Sequence, residues 1–348
     1  MGARKRLALL ALMLTFVAVG VGATGLPAPT VVTGAGSTFV TPILSRWTAD
    51  YMADFHASGG TKIVYQSIGS GAGIEAIKAH KVDFGASDKP LPPAELRQSN
   101  LAQFPLVIGG VVPVVNVGGI VPGKLRFTGA VLADIYQGTI SRWNDPAIVR
   151  LNPTAKLPNA PITVVHRSDG SGTTFNWVNF LAKKSPRWKL AVGEGTMVNW
   201  PAGVGAKGNE GVTASVKGIP NSIGYVELAY VAREHLAWAS VQNKAGKFIA
   251  PSQASFQAAA NDAAWDPKQD FYLVLTDAPG ADAYPITATT FILVPRHQND
   301  FSRTRALVQL FEYALFKGRA QATALGYVPL PRKLATSVAF YWTTEVQH

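Results

Sequence analysis

The hydrophobic pattern changes period several times along the chain, and each change marks an element. Val31 and Val32 open an apolar extended segment that runs into Gly34-Ala35-Gly36-Ser37-Thr38-Phe39. Beyond it Ile43, Leu44, Trp47, Tyr51 and Phe55 recur at spacings of three and four, the stripe of an amphipathic helix. Thr41 is its expected N-cap and Pro42 its first helical residue. Lys62 to Ile68 alternates and is β-branched, which predicts a strand. Gly69-Ser70-Gly71-Ala72-Gly73 then leads into a short helix carrying Ile74 and Ile77, and Val82 to Asp88 reads as another strand with a polar tip. Strand, glycine-rich turn and helix thus repeat, which predicts an α/β fold with mainly parallel sheets.

Leu106 to Val117 is a different kind of segment, a long apolar extended run interrupted by Gly109-Gly110 and Pro113. Such a strand suits a passage from one domain into the next, with the glycines absorbing a bend. Tyr284-Pro285-Ile286-Thr287, ahead of the apolar Thr290 to Val294, suits a second crossing. Between them lie further α/β pieces at Val131 to Tyr136, Ile162 to Val165 and a helix after Gly172. A C-terminal helix over Arg303 to Phe316 places Leu307, Leu310, Phe311 and Leu315 on one face for packing. The 348 residues are enough for two domains with cores of their own.

Composition narrows the function classes. With 47% hydrophobic and 15% charged residues the chain is not intrinsically disordered. The absence of cysteine excludes disulfides, thiol catalysis, cysteine-held zinc or iron–sulfur centres and a lipid anchor on an N-terminal cysteine. Arg4, Lys5 and Arg6 followed by the apolar Leu7 to Val19 and the small residues Val21-Gly22-Ala23 predict a signal peptide over residues 1–23, cleaved on export. Removing those three cations takes the formal charge from +11 to +8. The remaining Lys and Arg are scattered without a nucleic-acid reader motif, so no nucleic-acid partner is expected.

Three turns rich in Gly, Ser and Thr follow strands and open helices: Ser37-Thr38-Phe39, Ser70-Gly71 and Asp169-Gly170-Ser171-Gly172-Thr173-Thr174. Helix starts present unpaired N–H groups and the positive end of the helix dipole, so together the turns point to a small oxyanion. Arg167 stands at the end of a strand two residues before Asp169, which is placed to orient it and to cap the next helix. Catalytic signatures fail. Neither Ser70 nor Ser171 has glycine two positions to each side, as a nucleophile elbow requires, since Ile68 and Ala72, and Asp169 and Thr173, stand there; the six histidines form no metal-binding spacing. Gly118 to Lys124 has phosphate-loop spacing, but Leu125 stands where a Ser or Thr is required.

Taken together, seven stretches resemble the periplasmic phosphate-binding proteins of phosphate ABC transporters, the PstS family. They are Thr33 to Phe39, Tyr65 to Gly71, Val82 to Asp88, Arg167 to Thr173, Gly205 to Asn209, Ile223 to Glu227 and Tyr284 to Thr287. The resemblance implies a two-lobed Venus-flytrap, type II-like, each lobe a mainly parallel sheet flanked by helices and joined by extended hinge strands. Lobe I would be residues 31–112 with 285–348, and lobe II residues 113–284. It implies phosphate held by Thr38, Phe39, Ser70, Asp88, Arg167, Ser171, Gly172 and Thr173, with Asp169 orienting Arg167. Asp88 would accept the hydrogen bond of a phosphate hydroxyl. Two positions depart from the family pattern: Ser37 replaces the more usual Ala and Val40 a frequent Pro. The implied protein is a monomeric, non-enzymatic receptor in the periplasm, free of metal and cofactor, whose partners are inorganic phosphate and the permease subunits of the transporter. An exported phosphatase, or a receptor for another tetrahedral oxyanion, is the alternative.

Overall fold

The computed structural model describes residues 30–55, 61–298 and 300–346, without the side chain of Phe55. The expected signal segment 1–23 lies outside the described residues. In the first part of the chain β1 (Thr30–Gly36), α1 (Thr41–Phe55), β2 (Thr61–Ser67), α2 (Ser70–Lys78), β3 (Phe84–Ser87) and α3 (Pro93–Gln98) precede the long strand β4 (Leu101–Asn116). The middle holds β5 (Leu125–Phe127), α4 (Gly129–Tyr136), α5 (Pro146–Leu151), β6 (Thr163–Arg167), α6 (Gly172–Lys184), α7 (Pro186–Ala191), β7 (Val204–Ala206) and α8 (Gly208–Gly218). There follow β8 (Ser222–Glu227), α9 (Leu228–Glu234), β9 (Ala237–Gln242), β10 (Phe248–Ile249) and α10 (Gln253–Ala260). The chain closes with β11 (Thr287–Pro295), α11 (Phe301–Glu312), α12 (Arg319–Ala324), β12 (Val328–Pro329) and α13 (Arg332–Glu345).

The main path of strands runs β2-β1-β3-β11-β4-β8-β6-β7. β1 is parallel to β2 and β3, and β6 is parallel to β7 and β8. β4 joins the two groups. It pairs antiparallel with β11 from Leu101 to Gly110, then with β8 from Val111 to Asn116. Its residues are buried up to Val115, as a strand covered on both faces requires. Gly109 and Gly110 lie within this strand, and close neighbours leave no room for side chains there. A Cβ at Gly109 would stand 2.8 Å from the Phe39 ring, and one at Gly110 would stand 2.2 Å from the Phe256 ring. The glycines admit two aromatic rings that seal the strand where it changes partner.

The α1 stripe of Ile43, Leu44, Trp47 and Tyr51 is buried as its period requires. The helix begins one residue earlier than expected, because the Val40 carbonyl accepts the Leu44 N–H at 2.9 Å and so makes Val40 the cap. Thr41 instead reaches back with Oγ1 to the Ser37 carbonyl at 3.2 Å. α11 is not the last helix. It passes through a π-turn at Tyr313–Lys317 into α12 and then α13, which buries Leu334, Ala335, Val338, Tyr341 and Trp342. Among the described residues no helix is long and apolar enough to cross a membrane.

Candidate functional site

The three predicted turns all lie at carboxyl ends of parallel strands, and the fold brings them together. β1 gives way to α1 at Ser37, β2 to α2 at Ser70, and β6 to α6 at Ser171. The register of β1 beside β3 puts Gly36 opposite Ala86, and the Ser37 N–H bonds the Ala86 carbonyl at 2.8 Å. That bond holds the first turn against Asp88, just beyond β3. The third turn comes from the other strand group and meets the second, with the Gly71 N–H donating to the Gly170 carbonyl at 2.9 Å.

A ring of contacts closes around this point. Ser37 Oγ lies 2.7 Å from both carboxyl oxygens of Asp88, and Ser70 Oγ accepts the Asp88 N–H at 3.2 Å. A Cβ at Gly172 would stand 2.5 Å from Ser70 Oγ, so only glycine allows the approach. Next to it Thr173 Oγ1 accepts from Asn209 Nδ2 at 3.2 Å, and Asn209 Nδ2 donates to Thr38 Oγ1 at 2.7 Å. Thr38 follows Ser37, and the ring is complete.

Arg167 lies against this ring with its side chain 1% exposed. Nε donates to Asp169 Oδ1 at 2.7 Å, Nη2 to Oδ2 at 2.5 Å and Nη1 to Thr173 Oγ1 at 3.4 Å. Three of the five guanidinium N–H groups are thus engaged. Burial alone would raise the Asp169 carboxyl, but the hydrogen bond and charge of Arg167, with the Gly208 N–H, hold it below the usual range. Asp169 does not cap α6 as its position suggested. Ser171 does so, accepting the Thr174 N–H at 3.0 Å, while Asp169 Oδ1 accepts from Gly208, the first residue of α8, at 3.0 Å. Beneath Arg167, Tyr225 Oη accepts its backbone N–H at 3.2 Å and stacks on Trp177 at 4.9 Å, which fixes the end of β6.

Every side chain singled out in the sequence therefore stands in or against one locus, and several groups join that the sequence did not mark. Thr290 Oγ1 donates to Asp88 Oδ1 at 2.7 Å. Tyr230 Oη lies 2.6 Å from the Thr38 carbonyl, and Tyr327 Oη 2.7 Å from that of Phe39. The Phe39 N–H donates to Ser37 Oγ at 3.0 Å, so Ser37, a departure from the family pattern, joins Asp88 to the first turn. Among the described residues no acceptor meets the backbone N–H groups of Thr38, Ser70, Gly172 and Thr173, all four buried.

The family model of the PBP superfamily domain matches residues 23–315. A phosphate-binding protein PstS of Xylella fastidiosa is 53% identical over 314 residues, 90% of this chain and 85% of its own length. The chain belongs to the PstS family. A PstS relative as distant as that of Methanocaldococcus jannaschii is still 35% identical over 89% of this chain and 85% of its own length. Among solved structures, a phosphate-binding protein from Stenotrophomonas maltophilia has a TM-score of 0.70 at 19% identity, covering 89% of this chain and 93% of that one. An ABC-type phosphate transport receptor from Vibrio cholerae has a TM-score of 0.55 at 18% identity, covering 86% of this chain and all of that one. These likenesses establish for this PstS-family chain the two-lobed binding-protein fold.

Asp88 carries a pH signature of its own. Burial pushes its carboxyl from 3.8 up to about 6, against the opposing hydrogen bonds of Ser37 and Thr290 and the charge of Arg167. A carboxyl raised in the folded state stabilises the fold below its unfolded value, and that contribution is lost as pH rises through the folded value. In phosphate-free buffer, wild type is expected to lose on the order of 3 kcal/mol relative to Asp88→Asn between pH 4 and pH 7. Urea unfolding at the two pH values measures it, and parallel behaviour of the two proteins would refute the assignment.

Proposed function

We propose that this protein binds inorganic phosphate in the cleft between its lobes and serves as the receptor of a phosphate ABC transporter, without catalysis. The observation that carries the reading is the set of four buried N–H groups, at Thr38, Ser70, Gly172 and Thr173, that meet no acceptor on the described protein. A buried donor left unpaired costs about 1–3 kcal/mol, so four at three helix starts make sense as donors reserved for an anion. The hydroxyls of Ser70, Ser171 and Thr173 and the two remaining N–H groups of Arg167 extend the set, with Phe39 closing the first turn. Asp88 supplies an acceptor for a ligand proton.

Charge fits a dianion held mainly by dipoles. Arg167 is already paired with Asp169, so the anion relies on N–H groups at the starts of α2 and α6 and in the turn that leads into α1. The relatives bear the name phosphate-binding protein PstS, which favours phosphate over other tetrahedral oxyanions. His166, the histidine beside Arg167, stacks on the Trp200 ring at 4.8 Å, which gives it a packing role in this reading. The lobes in this reading are residues 31–112 with 285–348, and 113–284; the exchange of β11 for β8 along β4, between Gly110 and Val111, lies two residues before that boundary. Export by a cleaved signal over residues 1–23, a periplasmic location, a permease partner and a monomeric state complete it.

Mass spectrometry of natively purified protein is expected to show one phosphate released on denaturation, and calorimetry to show phosphate binding. A protein silent in both would overturn the proposal. Closure is tested by Gly172→Ala, whose methyl would meet Ser70 Oγ at 2.5 Å and the Asp88 backbone nitrogen at 2.7 Å. Overpacking of about 1–3 kcal/mol predicts roughly a tenfold to hundredfold loss of phosphate affinity. Small-angle scattering should show wild type contracting with phosphate and the variant contracting less. Equal contraction would remove the cleft from the account.

A further inference from the structure

We infer that Asn209, at the start of α8, is a positioning residue that turns the hydroxyls of Thr38 and Thr173 into obligate donors for the bound anion; this rests on the phosphate reading of the cleft. A hydroxyl has one proton and two lone pairs, and a free hydroxyl can face a ligand oxygen in either role. Thr38 Oγ1 has no such choice. It accepts the Asn209 backbone N–H at 3.1 Å and Asn209 Nδ2 at 2.7 Å, which fills both lone pairs. Thr173 Oγ1 is filled likewise, by Asn209 Nδ2 at 3.2 Å and Arg167 Nη1 at 3.4 Å. Each hydroxyl is left with only its proton to give.

The amide that imposes this is itself fixed. Asn209 Oδ1 accepts the Glu227 N–H at 3.1 Å, so a flipped amide would set two donors against each other there. Both amide protons must then point at Thr38 and Thr173, and Asn209 is fully buried. Thr38 follows β1 and Thr173 lies on α6, so one amide sets hydroxyls from both strand groups. Thr38 in return occupies an N–H in the first turn of α8, a helix whose own cap residue, Lys207, offers no side-chain bond. For Thr38 the donor orientation therefore arises only when the two sides meet, which couples closure to the readiness of that hydroxyl for an acceptor-only oxygen.

Calorimetric phosphate affinities of Asn209→Ala and Asn209→Asp, each made in wild type and in a Thr38→Val, Thr173→Val background, test this. With hydrogen bonds to a charged group as the scale, Asn209→Ala is expected to weaken binding about tenfold in wild type. Asn209→Asp keeps the shape but accepts where the amide donates, drawing both hydroxyl protons away from the anion, and should weaken it about a hundredfold or more. In the valine background the Ala change should matter about twofold or less, because the groups it acts through are gone. Equal losses in both backgrounds, or an Asp variant that binds as well as the Ala variant, would overturn the inference. If Asn209→Ala does not fold, the isosteric Asp change carries the same comparison, since its charge is present in both backgrounds and the hydroxyl reversal in only one. Wild type failing to bind phosphate would instead overturn the functional reading on which the inference stands.

Discussion

Arg167→Ala is expected to weaken phosphate binding by roughly 2–5 kcal/mol, the range for truncating one partner of a buried charge pair. The side chain is 1% exposed, so water cannot take its place at the anion. Its removal also changes Asp169, whose carboxyl sits below the usual range because Arg167 opposes its burial. Without the guanidinium, a carboxylate held by the Gly208 N–H at 3.0 Å faces the same cleft as the ligand. The loss therefore combines a missing attraction with a repulsion that Arg167 had cancelled. Arg167→Lys separates the two: it keeps the charge but cannot span both Asp169 oxygens, and should fall between wild type and Ala. Isothermal calorimetry on the three proteins reads the order. Wild-type affinity in Arg167→Ala would remove the residue from the site.

The features legible in the sequence are those that local periodicity or turn chemistry determines. The α1 stripe, the buried length of β4 and the three helix-opening turns each declare themselves within a short window, because an amphipathic face or an exposed N–H is a local property. Asn209 and Thr290 did not declare themselves. Their partners, Thr38 and Asp88, are 171 and 202 positions away, and nothing near either residue indicates the strand pairing that brings them together. Ser37 was visible as part of the first turn and as a departure from the family pattern, but not as a partner of Asp88, since its bonds to Asp88 cross 51 positions. Local chemistry also misled where two residues could do one job. Asp169 and Ser171 both precede α6, and the bidentate pull of Arg167 with the Gly208 N–H took Asp169 elsewhere, leaving the cap to Ser171. The rings that crowd Gly109 and Gly110, those of Phe39 and Phe256, also come from elsewhere in the chain, so the sequence near the glycines did not show them. Helix α13 was within reach. Its buried Leu334, Ala335, Val338, Tyr341 and Trp342 follow helical spacing.

Asp88→Asn is expected to narrow the preference for phosphate over sulfate by about two orders of magnitude, mainly by admitting sulfate. Both anions are tetrahedral and similar in size, so neither shape nor charge separates them in a dry cleft. Phosphate near neutral pH keeps at least one proton and sulfate keeps none. Asp88, with a carboxyl near 6, is ionised at neutral pH and can only accept. Thr290 and Ser37 each give it one proton, at 2.7 Å, which leaves acceptor capacity on a carboxylate for a proton brought by the ligand. Sulfate would set a bare oxygen against that carboxylate, and sites built around one ligand hydrogen bond can reject the analogue lacking it by on the order of 10⁴-fold. In the Asn variant, Thr290 and Ser37 favour the amide oxygen on their side, so the amide nitrogen turns toward the ligand and can donate to sulfate. One repulsion becomes one hydrogen bond to a charged group, the step that sets the hundredfold scale. Loss of the negative charge helps both anions alike, so the ratio, not either affinity alone, carries the result. Competition binding of sulfate against phosphate measures it. A variant that excludes sulfate as strongly as wild type would show that selectivity lies elsewhere than in the acceptor at Asp88.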